Sequence, residues 1–228
     1  MTRIEDILRL IWERLLLRQH DWFDLQVLRS KVAVKIGLAF MKQPFLEKRI
    51  DGAKMIDQVC NTAVSQIGSG SVTTTSERSK NLLRELIDNL RTANVFELFF
   101  SNKNIHEQLV KKSAGILKLL MKRNEITDEE LNYVWTSCQK HEATSLELTG
   151  AFTILCMTVD GRYLSFLVDK LMQKPKVAIN EKELELLRTM GKRTSTTDEA
   201  LKVNQARVIE FFWNYLFDED ASDGQAMQ

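Results

Sequence analysis

Thr127-Asp128-Glu129-Glu130-Leu131-Asn132-Tyr133-Val134-Trp135-Thr136-Ser137-Cys138 is the stretch that decides the fold class. Its first four residues have the form of a capping box. In that motif a threonine hydroxyl and a glutamate carboxylate each accept a backbone N–H that the first helical turn leaves unpaired. Leu131, Val134, Trp135 and Cys138 then recur at spacings of three and four, the period of a helix with one apolar face. The same grammar runs both ways along the chain. Thr2 to Glu5 reads as a capping box before a stripe of Ile4, Ile7, Leu8, Ile11 and Leu15. A second stripe, Leu25, Leu28, Val32, Ile36 and Phe40, stops before Pro44. A third helix is expected from Phe45 to Ile67, with Leu46, Ile50, Ala53, Ile56 and Cys60 inward. Residues 68–76 are glycine, serine and threonine with one valine, a flexible loop.

Beyond that loop come Leu82, Leu83, Leu86, Ile87 and Leu90, then a short apolar turn at 95–100. Asn104 reads as an N-cap with Glu107 in the first turn, before an apolar face of Ile105, Leu109, Ile116 and Leu120. After the opening stretch, an apolar helix is expected from Leu146 to Val159. Asp160 is expected to cap the next, which carries Leu164, Leu167, Val168 and Leu171. Pro175 marks a break, and Asn180 to Glu183 caps a helix with Leu184, Leu187 and Thr189. A polar loop at 191–197 leads to a last helix at 198–217, and the acidic tail 218–228 is expected to be disordered.

Roughly ten helices make about five hairpins of about 45 residues each, the period of HEAT and armadillo repeats. The expected fold is therefore all-α, a superhelical array of antiparallel helix pairs over residues 1–217, with a compact helical bundle as the other arrangement. Two prolines and nine glycines are too few for an all-β domain. Lys+Arg of 32 against Asp+Glu of 31 argues against a nucleic-acid partner, which calls for a basic excess. No apolar run approaches the roughly 20 residues that span a bilayer, so no membrane partner is expected. Three widely spaced cysteines suit a reducing compartment, and the charged start Met1 to Asp6 is no signal peptide. The cytoplasm, and the nucleus as well, fit these features. Val208 to Phe217 is apolar except at Glu210 and Asn214. A helix apolar nearly all round is buried nearly all round. It belongs either to a longer array with a further repeat beyond it, or in a groove of its own fold.

Catalytic chemistry is hard to find. Cys138 and His141 lie three apart, as a nucleophile and base or half a metal site would, but the plainer reading is a half-buried thiol and a helix-terminal histidine, with Cys60 and Cys156 as core thiols. His20 and His106 are isolated, and no metal or other cofactor is expected. Gly68-Ser69-Gly70 lacks the Gly-Lys-Ser/Thr ending of a phosphate loop. Glu129/Glu130 and Glu181/Glu183 sit where the helix dipole favours acids. Lys111 and Lys112, with Lys122-Arg123, are short basic runs. Phe211, Phe212 and Trp213, like Phe99-Phe100, are aromatic clusters that fit a core or a groove for a partner. Phe211, Phe212, Trp213, Lys111 and Lys112 are the candidate interaction residues.

Several segments resemble a known family in order and spacing. They are Pro44-Phe45-Leu46-Glu47-Lys48-Arg49-Ile50-Asp51-Gly52, Ile105-His106-Glu107-Gln108-Leu109-Val110-Lys111-Lys112-Ser113, Ile116-Leu117-Lys118, Glu125-Ile126-Thr127, Val134-Trp135, Lys140-His141-Glu142 and Ile209 to Phe217. The succession is similar to the large non-catalytic helical region of giant ubiquitin-specific proteases of the fat-facets type, over about residues 22–217 and most densely over 95–142. The resemblance implies an armadillo/HEAT-like scaffold of a deubiquitinase. Its implied partners are ubiquitinated substrates or adaptor proteins, and the catalytic domain of the parent chain. No catalytic residue carries over, because Cys60, Cys138 and Cys156 lack the Asn- and Gly-rich surroundings of that family's nucleophile. A free-standing helical-repeat adaptor is the alternative.

Overall fold

The computed structural model describes residues 10, 13, 22–68, 77–101, 103, 105–193 and 198–217. The capping box at Thr2, the stripe from Ile4 to Leu15, the side chains of Leu25 and Leu82, most of the loop at 68–76 and the tail at 218–228 lie outside those residues. The described residues are helical with no strand. The chain divides into two compact units, 1–99 and 100–228.

In the first unit, α1 (Trp22–Met41) packs along α2 (Leu46–Gly68), followed by α3 (Glu77–Thr92) and α4 (Val95–Phe100). The face of α1 that packs is not the expected stripe. Leu28 is exposed, while Val34, Gly37 and Met41 are buried. The reason is the crossing of α1 and α2, where two glycines meet. A Cβ on Gly52 would stand 2.4 Å from the Gly37 carbonyl oxygen and 2.9 Å from the Met41 nitrogen. Those are backbone atoms, so the helices would have to separate. On α2, Ala53, Ile56 and Cys60 are buried as the period predicts, with Leu46 and Ile50 partly covered. Leu83, Ile87 and Leu90 bury one side of α3, and Lys31 of α1 pairs with its Glu85 at 2.8 Å. Residues 95–100 form a short helix rather than a turn, with Val95, Phe99 and Phe100 buried. Gly52→Ala is expected to destabilise this unit by about 2–3 kcal/mol, the overpacking range for a site that cannot give way. Urea unfolding measures it, and a loss below about 0.5 kcal/mol, the ordinary size of a surface change, would show that the crossing can spread.

The second unit holds α5 (Glu107–Lys112), α6 (Ala114–Lys122), α7 (Asp128–Cys138), α8 (Glu142–Leu155), α9 (Gly161–Met172), a 3₁₀ turn (Lys176–Ala178), α10 (Glu181–Gly191) and α11 (Glu199–Phe217). Alternate helices stack. The α5–α6 pair packs on α8 and α8 on α10, while α9 packs on α11, and α7·α8, α9·α10 and α10·α11 close the hairpins. This is the layout of a two-layered helical repeat. Equivalent helices begin 33 (α7 to α9), 38 (α9 to α11) and 39 (α8 to α10) residues apart. That is shorter than the expected 45, because these helices are 11–19 residues long whereas α1 and α2 have 20 and 23.

Hydrogen bonds between successive repeats span similar offsets, from 34 to 38 residues. Arg162 donates to Asp128 at 2.7 Å, Arg207 to Asp169 at 2.6 Å and Asn124 to Asp160 at 3.3 Å. Arg193 donates to the Cys156 carbonyl at 2.6 Å and also to that of Val159, two acceptors that the end of α8 leaves open.

Both capping boxes of this unit form, Thr127 with Glu130 and Asn180 with Glu183. Two other expected caps differ. Asp160 stands at the N-cap of α9 but makes no side-chain cap, since its carboxylate turns to Asn124. Asp198 takes its place, accepting the Gly161 N–H at 3.4 Å while capping α11 through Leu201 N–H. The expected helix after Asn104 is broken in two. His106 is the N-cap of α5, its Nδ1 accepting the Gln108 N–H, and Asn104 lies outside the described residues. At Ser113 the buried hydroxyl donates to the Val110 carbonyl at 2.7 Å and competes with the helical ladder, which separates α5 from α6.

Candidate interaction surface

The cysteines are settled by burial. Cys60, Cys138 and Cys156 are all buried and reduced. Burial pushes the Cys138 thiol up to about 12 and the Cys156 thiol to about 11, the latter held back by nearby Arg193. Burial raises Cys60 further still. A thiol with no thiolate at neutral pH is no nucleophile. His141 does not end the helix of Cys138 but stands exposed at the N-cap of α8. Among the described residues, no group of three or more His, Cys, Asp or Glu could hold a metal ion. The native protein is expected to show none of its three thiols to an aromatic disulfide reagent at pH 8, and all three after unfolding; one fast thiol would reopen the nucleophile reading. The linkage has a sign. A thiol whose pKa is higher folded than unfolded stabilises the fold below its unfolded value. Stability contributed by Cys138 and Cys156 is therefore lost as pH rises from about 9 through about 11 and 12.

One polar cluster built around the buried Glu183 is structural in form. Lys174 Nζ donates to Glu183 Oε1 at 2.5 Å and to Gln139 Oε1 at 2.8 Å, and lies 5.7 Å from the Trp135 ring centroid. Glu183 is fully buried, and its other oxygen accepts the Asn180 N–H. Trp135 stacks on Phe152 at 6.3 Å between centroids. These residues join α7, α8 and α10 through the segment that leaves α9. From sequence Glu183 reads as an ordinary helix-start acid, because nothing local marks it as buried.

The expected interaction residues fall in two places. Lys111 is exposed and Lys112 half-buried at the end of α5. Phe211, Phe212 and Trp213 follow one another on α11, so they point about 100° apart. Phe211 and Phe212 are partly covered, with Phe211 edge-on to Phe212 and beside Tyr215, while Trp213 is 64% exposed. Trp213 instead shares its face with residues not singled out from sequence: Val203, Ile209 and Leu216, all more than half exposed. The signal lay in the register. Val203, Ala206, Ile209, Trp213 and Leu216 recur at three and four along the helix, on the side opposite the buried Leu201, Asn204 and Val208. Exposed Glu199, Lys202 and Glu210 interleave with these apolar residues, and Lys202 pairs with Glu199 at 2.8 Å.

None of the described helices is long and apolar enough to cross a membrane. A family model described as the UBP24/USP9X/USP9Y ARM repeat matches residues 29–227. No curated protein and no solved structure matches the chain.

Proposed function

The chain belongs to the UBP24/USP9X/USP9Y ARM repeat family, and from that premise we propose that it is the non-catalytic scaffold segment of a large ubiquitin-specific cysteine protease. The observation that carries this reading is the family match, which takes in both compact units. The fold agrees with it, being all-α and of the armadillo/HEAT kind. The burial of Cys60, Cys138 and Cys156 fits this reading as well, since none of these thiols is placed to meet a substrate. In this reading the repeats hold ubiquitinated substrates or adaptor proteins close to the catalytic domain of the parent chain in the cytoplasm. Proximity of that sort raises the effective concentration of a weakly held substrate without any new contact at the active site.

The test captures the native protein from its source cells with an antibody to this segment and reacts it with a ubiquitin-based active-site probe. A labelled polypeptide far larger than 26.4 kDa supports the reading. An unlabelled polypeptide near 26.4 kDa overturns it in favour of a free-standing repeat adaptor.

A further inference from the structure

We infer that the outer side of α5 and α6 is a docking surface for an acidic peptide segment of a partner protein, held by the ammonium groups of Lys111, Lys118 and Lys122. The inference deepens the scaffold reading and shares with it only the premise that the chain binds protein. Between residues 105 and 124 stand Lys111, Lys112, Lys118, Lys122 and Arg123 against one acid, Glu107. The whole chain carries Lys+Arg of 32 against Asp+Glu of 31, so the positive charge is concentrated here. The pattern sets three of these cations in line. Leu109, Ile116 and Leu120 are buried, and each is followed two residues later by Lys111, Lys118 or Lys122. Two residues turn a helix by about 200°, so each lysine leaves on the side opposite the core. The stripe continues across Ser113 because that residue keeps a right-handed helical backbone, with φ −79° and ψ −11°. Lys111 is exposed. Lys118 and Lys122 are half-buried, as lysines are when the stem lies along the protein and the ammonium reaches water.

The charge on this stripe is unanswered within the chain. Arg162, Lys174, Arg188, Lys202 and Arg207 of the same unit each pair with a carboxylate. Lys111, Lys118 and Lys122 pair with none among the described residues. Asp128, which follows α6, is already taken by Arg162. Beside the stripe, Arg123 Nε is buried with no hydrogen-bond partner among the described residues. Like charges one turn apart weaken a helix, and an anion laid over Lys118 and Lys122 relieves that repulsion. The spacing fits an extended acidic run. Lys111 to Lys122 covers about 16 Å of helix, the length of about five extended residues. Lys118 and Lys122 are about 6 Å apart along the axis, which matches carboxylates two apart on one face of a strand. Nucleic acid fits less well. Single strands are held by aromatic rings on which bases stack, and residues 105–124 contain no aromatic side chain.

The test titrates the 228-residue protein into a fluorescein-labelled hexaglutamate peptide, read by anisotropy at about 50 mM salt, where screening is modest. Binding is expected. Lys118→Glu/Lys122→Glu is expected to weaken it at least about 10-fold, because two attractions become two repulsions. Lys182→Glu/Lys192→Glu removes the same net charge from exposed positions at the two ends of α10. That control is expected to change binding less than about 2-fold, since a docking surface depends on where its charges lie. Circular dichroism and the urea midpoint check that each variant is folded, and Lys118→Gln/Lys122→Gln takes the place of the reversal if it unfolds. Equal losses in the stripe variant and the control overturn the inference, because the peptide then reads net charge alone. Absence of binding at about 1 mM protein overturns it too. An oligothymidylate of equal charge that binds more tightly than the peptide overturns it in favour of nucleic acid. The active-site probe labelling is read separately. A labelled parent enzyme with no hexaglutamate binding refutes the surface and leaves the function standing, and the reverse pair of results does the opposite.

Discussion

Glu183→Ala is expected to lower the stability of the second unit by about 3 kcal/mol, and to do so far more than the matching change in the other capping box. Removing one partner of a buried ion pair costs about 3–5 kcal/mol, because the remaining charge stays desolvated. Lys174 keeps 22% of its side chain exposed and can partly reach water, which sets the low end. The Asn180 N–H also loses its acceptor. Glu130 occupies the same position of the Thr127 box but is only partly buried, and Glu130→Ala is expected to cost about 1 kcal/mol, the worth of a cap. Urea midpoints of the two variants measure the difference. If Glu183→Ala is no worse than Glu130→Ala, the buried pair contributes nothing beyond the cap.

Trp135→Ala is expected to cost about 3–5 kcal/mol, the range for removing a buried aromatic that its surroundings cannot close over. Trp135 is 6% exposed, fills the space against Phe152 and lies under the Lys174 ammonium. Lys174 touches both Trp135 and Glu183, so the two substitutions share a partner. The double variant is expected to fall short of the sum by more than about 0.5 kcal/mol, the margin within which independent sites add. Additive losses would show that the ammonium is not shared. A loss below about 1 kcal/mol from Trp135→Ala alone, the size of an ordinary surface change, would place the ring outside the core.

The helical class and the two capping boxes were legible because their physics is local. Thr127 and Glu130, like Asn180 and Glu183, complete each other within one turn. The fate of Asp160 was not legible, since its partner Asn124 is 36 residues away and its capping duty passes to Asp198. The packing face of α1 was hidden for a different reason. Val32, Val34, Ile36, Leu38 and Phe40 put apolar groups on several sides, so the period selects none of them. The choice is made by Gly37 and Gly52, whose role exists only when two helices touch. The candidate surface was half legible: Trp213 was marked by its neighbours in sequence, but Phe211 and Phe212 turn away from it, while Val203 on its own face lies ten residues upstream. Glu183 reads like any helix-start acid because its burial comes from Lys174 and from the helices that α10 packs against, not from its own helix.

The bonds Asp128–Arg162, Asp169–Arg207 and Asn124–Asp160 each join one repeat to the next. Links of that kind act in series. A pull on one end is carried through every seam, so the weakest opens first; the α7–α9 seam holds two of these bonds and the α9–α11 seam the third. The second unit is thus built like a spring of separate coils. It can stretch or curl by small adjustments at each seam while every helix stays intact, and a partner that grips two coils would stiffen only the seam between them.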